Sequence, residues 1–142
     1  MNGVVRPNYS IIIKDNEKAV AEALAEGNFL QAYLLVHARI EALLRLFLHI
    51  PEDKDLSFAK IIENYQCYLE HEHYPYLTFT DELTKFNRRR NRIVHQLWRK
   101  GYSFTNRQTE PAARSAITMY GLFIEWLETF DSEITQIGFR YD

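Results

Sequence analysis

Ala32-Tyr33-Leu34-Leu35-Val36-His37-Ala38-Arg39-Ile40-Glu41-Ala42-Leu43-Leu44-Arg45 decides the fold of this chain. Its apolar residues fall around most of the circumference of a helix and not along one stripe, which marks a central element packed by several neighbours. His37, Arg39, Glu41 and Arg45 interrupt the apolar run, so it is not a membrane span. Asn28 can cap this helix, and Pro51 is expected to end it after a run to about Ile50.

Working outward, Asp15 is the expected N-cap of an earlier helix through Ala19, Ala23 and Ala25, with Gly27 closing it in a left-handed conformation. Val4 to Ile13 reads as extended. Downstream, Ser57 or Asp55 can cap a helix through Ile61, Ile62, Tyr65 and Leu69, which His71 to Pro75 breaks. Thr80, followed by Asp81 and Glu82, is expected to open a fourth helix with acids at the positive end of its dipole, and Lys100-Gly101 to close it. Tyr102 to Gln108 reads as a loop. Thr109, with Pro111 in the first turn, opens a last helix along which Ala113, Ile117, Tyr120, Ile124, Leu127 and Ile134 recur at helical spacing. No strand alternation, glycine-rich phosphate loop or internal repeat is present. The expected fold is all-α, an up-and-down bundle of four to five helices.

With 142 residues, 46% of them hydrophobic, the chain supports one well-packed core, and a single domain over residues 1–142 is expected. Cys67 is the only cysteine, which rules out an intrachain disulfide and leaves a cysteine-based zinc site without ligands. The N-terminus lacks a basic region leading into a long apolar stretch. A cytoplasmic location without membrane association is the expectation, and no metal or other cofactor is implied.

Charge is distributed less evenly than composition suggests. The net charge is −2, yet Lys85 to Lys100 holds seven of the seventeen Lys and Arg residues and no Asp or Glu. Within it runs Phe86-Asn87-Arg88-Arg89-Arg90-Asn91-Arg92-Ile93-Val94-His95. Chemistry on a phosphate ester needs a group that moves protons and a cation that stabilises the extra negative charge of the transition state. An imidazole with an ordinary pKa near ~6.5 and a permanently charged, planar guanidinium fill those roles without a metal. At about 100° per residue, His95 lies roughly 40° from Asn91, about 20° from Arg88 and about 140° from Arg90. Spacing alone leaves Arg88, Arg89 and Arg90 open as the phosphate-stabilising group.

The same segment resembles a known family. Arg90-Asn91-x-x-x-His95 is similar to the Arg-Asn-x-x-x-His form of the R-x(4–6)-H motif of HEPN domains, small helical domains that include many metal-independent ribonucleases. The order of the apolar helix, then Leu56 to Ile62, then the motif helix resembles the HEPN core across about residues 28–130. The resemblance implies His95, Arg90 and Asn91 as catalytic residues, with Asn91 orienting the site, and a homodimer in which two motif helices face each other. It implies RNA as substrate, a role as a toxin or defence effector, and an antitoxin or regulatory protein as a further partner. Lys85, Arg88, Arg89 and Arg92 are the expected RNA-phosphate contacts, and Glu41 or His37 the expected support for the arginines. Many HEPN-like proteins serve instead as dimeric interaction or regulatory modules, so the resemblance carries that alternative too. Leu97 occupies the position, two residues after the motif histidine, where a branch of HEPN toxins carries a tyrosine that receives AMP, which argues against that regulation here.

Other groupings have plainer readings. His37, Glu41, Arg45 and His49, four residues apart, form a polar stripe expected to be a partly exposed face with local ion pairs. His71-Glu72-His73 reads as an exposed turn and not as the start of a metal site. Tyr65, Tyr68, Tyr74, Tyr76 and Phe79 read as core and loop packing, with base stacking as the alternative. DNA binding by the basic helix is disfavoured, because Phe86, Ile93, Val94 and Leu97 give it a partly buried face.

Overall fold

A computed structural model of the protein describes residues 9–74 and 77–139. Seven helices and no strand occur among the described residues: α1 (Ser10–Ala25), α2 (Phe29–Phe47), α3 (Phe58–His71), α4 (Thr80–Lys100), α5 (Tyr102–Gln108), α6 (Glu110–Glu128) and α7 (Ile134–Ile137). Five of these are the helices expected from sequence; α5 and α7 exceed the expected four to five. No helix among the described residues is long and apolar enough to cross a membrane.

The expectation for α2 holds. It packs against α1, α3, α5 and α6, and Tyr33, Val36, Ile40, Leu43 and Leu44 are fully enclosed in the one core cluster. Burying a large aliphatic or aromatic side chain contributes about 1.5–3 kcal/mol, so this helix anchors its neighbours. It stops at Phe47, four residues before Pro51, with His49 in the left-handed region at φ +56°.

Local chemistry departs from expectation at each end of several helices. α1 begins at Ser10, so Asp15 is inside the helix and Ile11 to Ile13 are helical; only Ile13 of the three reaches the core. The remainder of the Val4 to Ile13 stretch, up to residue 8, lies outside the described residues, as does Tyr76. Ser57, not Asp55, caps α3, its hydroxyl accepting from the Lys60 N–H at 3.2 Å. α4 opens at Thr80 with Asp81 and Glu82 in its first turn, as expected, and the N-cap position falls on the residue before it. Phe79 holds that position with φ +69°, a conformation that costs energy for a bulky side chain and is held here by packing of its ring on Phe123 at 5.1 Å.

Asn28 stands at the N-cap of α2, yet its side chain does not cap the helix. Asn106 does that work from α5. Its Oδ1 accepts from the Leu30 N–H at 3.0 Å, and its Nδ2 donates to the Gly27 carbonyl at 2.8 Å. This clamp, with Thr105 fully buried beside it, explains why 102–108 is helical despite lacking an apolar repeat. Gly27 has φ +75°, as the left-handed helix terminus requires. At the other end of the chain, Ile134 belongs to α7 and not to the last long helix. Gly138 adopts φ +132°, and a Cβ there would meet the Ser10 nitrogen at 2.6 Å, so only glycine allows the backbone to pass this close.

Tyr65 is in the core, and Tyr68 and Tyr74 pack partly buried against it, as expected of core and loop packing. Tyr65 donates to the Thr78 carbonyl and accepts from Trp126 Nε1 at 2.9 Å, while Tyr68 and Tyr74 make edge-on contacts with Phe130. His71, Glu72 and His73 are exposed.

Candidate anion-binding site on the fourth helix

α4 packs on α3 and α5 through Leu83, Phe86 and Ile93, which are buried. Tyr33 of α2 fixes it further, donating its hydroxyl to the Phe86 carbonyl at 2.8 Å. Burial raises the Tyr33 pKa, opposed by the positive charges of Arg89 and Arg90. The phenol therefore stays protonated as a donor.

With one face so held, the expected site residues are spread over the rest of the helix. Lys85, Arg88, Arg89, Arg90, Asn91, Arg92 and His95 are all exposed. None of these cations pairs with a carboxylate among the described residues; the single hydrogen bond made by the arginines joins Arg90 Nη1 to Asn91 Oδ1 at 3.2 Å. A line of uncompensated guanidinium groups on a protein of net charge −2 creates a local positive field suited to phosphates.

Three flanks divide these residues. Toward α2 and the start of α3, Asn87, Arg90 and Asn91 line a cleft of about 760 Å³ whose opposite wall carries His37, Glu41 and Arg45. Toward α6, Lys85, Arg89 and Arg92 border two adjoining hollows of about 500 and 320 Å³ floored by Phe86, Ala112 and Met119. Arg88 and His95 line neither the cleft nor the hollows. A single chain thus brings Arg90, Asn91 and Glu41 together and leaves His95 outside that group, in keeping with the 140° separation on the helix. His95 makes no hydrogen bond or ion pair among the described residues.

Glu41 is partly occupied by Arg45, whose Nε donates to it at 3.4 Å while the guanidinium also donates to the Lys54 and Leu56 carbonyls. These bonds tie the segment before α3 to α2. They also aim Arg45 away from a purely solvent role.

His37 was expected on a partly exposed stripe but is only 7% exposed. Its ring packs against Phe58, at 4.7 Å, and Phe86, at 5.0 Å and nearly parallel, in a three-ring cluster in which the two phenyl rings also touch. The stripe fails at this residue because α3 and α4 converge over that turn of α2. Burial, reinforced by the positive charge of Arg90, pulls the His37 pKa down to about 4. The imidazole is neutral near pH 7, and its Nε2 is buried with no hydrogen-bond partner. Asn87 was not singled out by sequence reasoning, although its place three and four residues before Arg90 and Asn91 puts all three on one face.

No family model, curated protein or solved structure matches the chain.

Proposed function

We propose that this protein is a metal-independent endoribonuclease of HEPN type that acts as a homodimer, with an up-and-down HEPN-like bundle as its scaffold. The observation that carries this reading is the run of exposed, carboxylate-free cations on α4 with His95 in the same helix. Phosphates of an RNA strand engage Arg88, Arg89, Arg92 and Lys85. His95 moves the proton of the attacking 2′-hydroxyl or of the leaving 5′-oxygen, and Arg90 stabilises the charge gained at phosphorus. Because Arg90 and His95 occupy different flanks of one chain, the site is composite: a two-fold axis beside α4 sets Arg90 of one protomer near His95 of the other. Asn91 orients Arg90 by accepting from its guanidinium. Such an enzyme suits a toxin or defence effector held in check by an antitoxin or regulatory protein.

A second reading has its own support. An exposed His95 without a hydrogen bond to fix its tautomer fits a non-catalytic HEPN-like dimeric interaction or regulatory module. Purified protein incubated with structured and unstructured RNA in EDTA separates the two. The nuclease yields fragments ending in 2′,3′-cyclic phosphate, lost in both His95→Ala and Arg90→Ala. Full cleavage by a folded His95→Ala dimer, in preparations free of contaminating nuclease, rejects His95 as the proton-transfer group. Arg88→Ala discriminates further: a defect as deep as that of Arg90→Ala assigns phosphate stabilisation to Arg88, and a defect that shrinks at low salt assigns it to RNA attraction.

A further inference from the structure

The two tryptophans of the chain stand in opposite surroundings. Trp126 packs edge-on against Tyr74 and Phe130 and donates its Nε1 to the Tyr65 hydroxyl. Trp98, near the C-terminal end of α4, is 91% exposed, more than any other large hydrophobic side chain among the described residues. Its ring touches no other ring there, and its Nε1 has no acceptor. Tryptophan is highly buried on average, so a ring left this far in water is available to a partner. A single exposed apolar residue carries no meaning by itself; what surrounds Trp98 on α4 does.

Trp98 stands three residues beyond His95, which places their Cβ atoms about 5–6 Å apart on the helix surface. Arg88, His95 and Arg99 follow one another at intervals of seven and four residues, a single exposed line on the side away from the buried Leu83, Phe86 and Ile93. None of the three pairs with a carboxylate among the described residues. The exposed indole thus flanks a row of uncompensated cations, beside the histidine that the proposed reaction uses.

We propose that Trp98 is the stacking platform for one unpaired base of the RNA strand and that it sets a preference for single-stranded RNA over duplex. The inference rests on the reading of α4 as an RNA-binding helix and not on cleavage. Charge complementarity selects this occupant. A strand whose phosphates follow Arg88 and Arg99 carries a flat base for the indole beside them, and base–aromatic stacking accepts any of the four bases. A duplex keeps its bases stacked on each other and leaves the ring only backbone to touch. A second copy of this chain fits less well, because covering Trp98 also covers Arg99 and His95, and α4 has no carboxylate after Glu82 to neutralise them. A lipid surface fits less well too, since no aliphatic side chain of α4 is exposed to insert with the ring. Trp98 is a positioning residue: holding the base fixes the neighbouring phosphate near His95, and the indole takes no part in proton transfer.

The test is a titration of the full-length protein with a 2′-O-methylated, and therefore uncleavable, single-stranded oligoribonucleotide. NMR follows the Trp98 indole N–H, assigned by its disappearance in Trp98→Phe, and fluorescence anisotropy gives the Kd. The expected result is a saturable shift of that signal and a Kd about five- to a hundredfold weaker in Trp98→Ala, with most of the affinity kept in Trp98→Phe and the unfolding midpoint unchanged in both. Because no charge is lost, the slope of log affinity against log salt stays the same. Duplex RNA of the same sequence, and an abasic strand of the same length, bind parent and Trp98→Ala alike. No shift of the Trp98 signal with the single strand, an unchanged Kd in Trp98→Ala, or an equal loss on the duplex overturns the proposal. So does conversion of a dimeric parent to monomer in Trp98→Ala, read by light scattering, which assigns the ring to a second copy, or a Trp98 shift with anionic vesicles in place of RNA, which assigns it to lipid. A strand held through Trp98 by a protein that cuts no RNA keeps this inference and removes the ribonuclease; cleavage by a parent and a Trp98→Ala variant of equal affinity does the reverse.

Discussion

His37 and His95 are the same residue type in opposite circumstances, and the contrast organises the molecule. His37 is buried against two aromatic rings, held neutral and without a partner for Nε2. His95 is exposed on α4 beside a series of arginines. The lesson concerns what surrounds a histidine: one small bundle packs one imidazole against its aromatic core and leaves the other on an exposed, cation-rich helix face.

The sharpest way to break that contrast is His95→Ala. Cleavage is expected to fall by ~10²–10⁴-fold, the usual contribution of a positioned proton-transfer group, while the unfolding midpoint stays where it was. A midpoint that falls instead moves His95 into the structural class with His37.

Acid should find His37 next. Its folded pKa of about 4 lies below the ordinary 6.5, so between these values the unfolded chain binds a proton that the folded chain does not. Stability from this residue is complete above about pH 6.5, declines as pH falls, and levels off below about pH 4, a loss of at most about 3 kcal/mol. Urea unfolding at a series of pH values should show this decline in the parent and a shallower one in His37→Phe. Identical slopes would show that His37 is not the group responsible.

Tyr33→Phe tests how α4 is held in place between its two environments. Loss of the hydroxyl that donates to the Phe86 carbonyl is expected to cost about 1 kcal/mol, read from denaturant midpoints, with RNA binding preserved. Arg88→Gln, the mildest change, should leave stability unaltered and reduce the slope of log affinity against log salt for single-stranded RNA by about 0.7, as for one lost phosphate contact. An unchanged slope would place the RNA elsewhere.

Sequence made the helices themselves plain wherever an apolar repeat was long. α2, α3 and α4 are bounded as their patterns suggest, within a few residues, whereas α6 ends at Glu128 and Ile134 falls in α7. What escaped was structure that depends on distant partners: Tyr102 to Gln108 has no helical stripe, and its conformation follows from Asn106 reaching Gly27 and Leu30. Thr80 does open α4 with Asp81 and Glu82 in the first turn, but that the residue before it, Phe79, is held at positive φ depends on its packing against Phe123 across the bundle. For the site, the clustering of charge on α4 was evident from residue types alone, and helical angles correctly separated Arg90 from His95. That His37 is buried was not, since it required knowing that α3 and α4 close over the same turn of α2.

The close pass at Gly138 has a consequence for handling the molecule. Tyr9 donates its N–H to the Ile137 carbonyl at 2.7 Å, so the path through the described bundle starts and finishes at a common point. A bundle closed in this way can be spliced into a surface loop of a host protein through short linkers, or re-opened at another turn with a brief bridge joining residues 9 and 139.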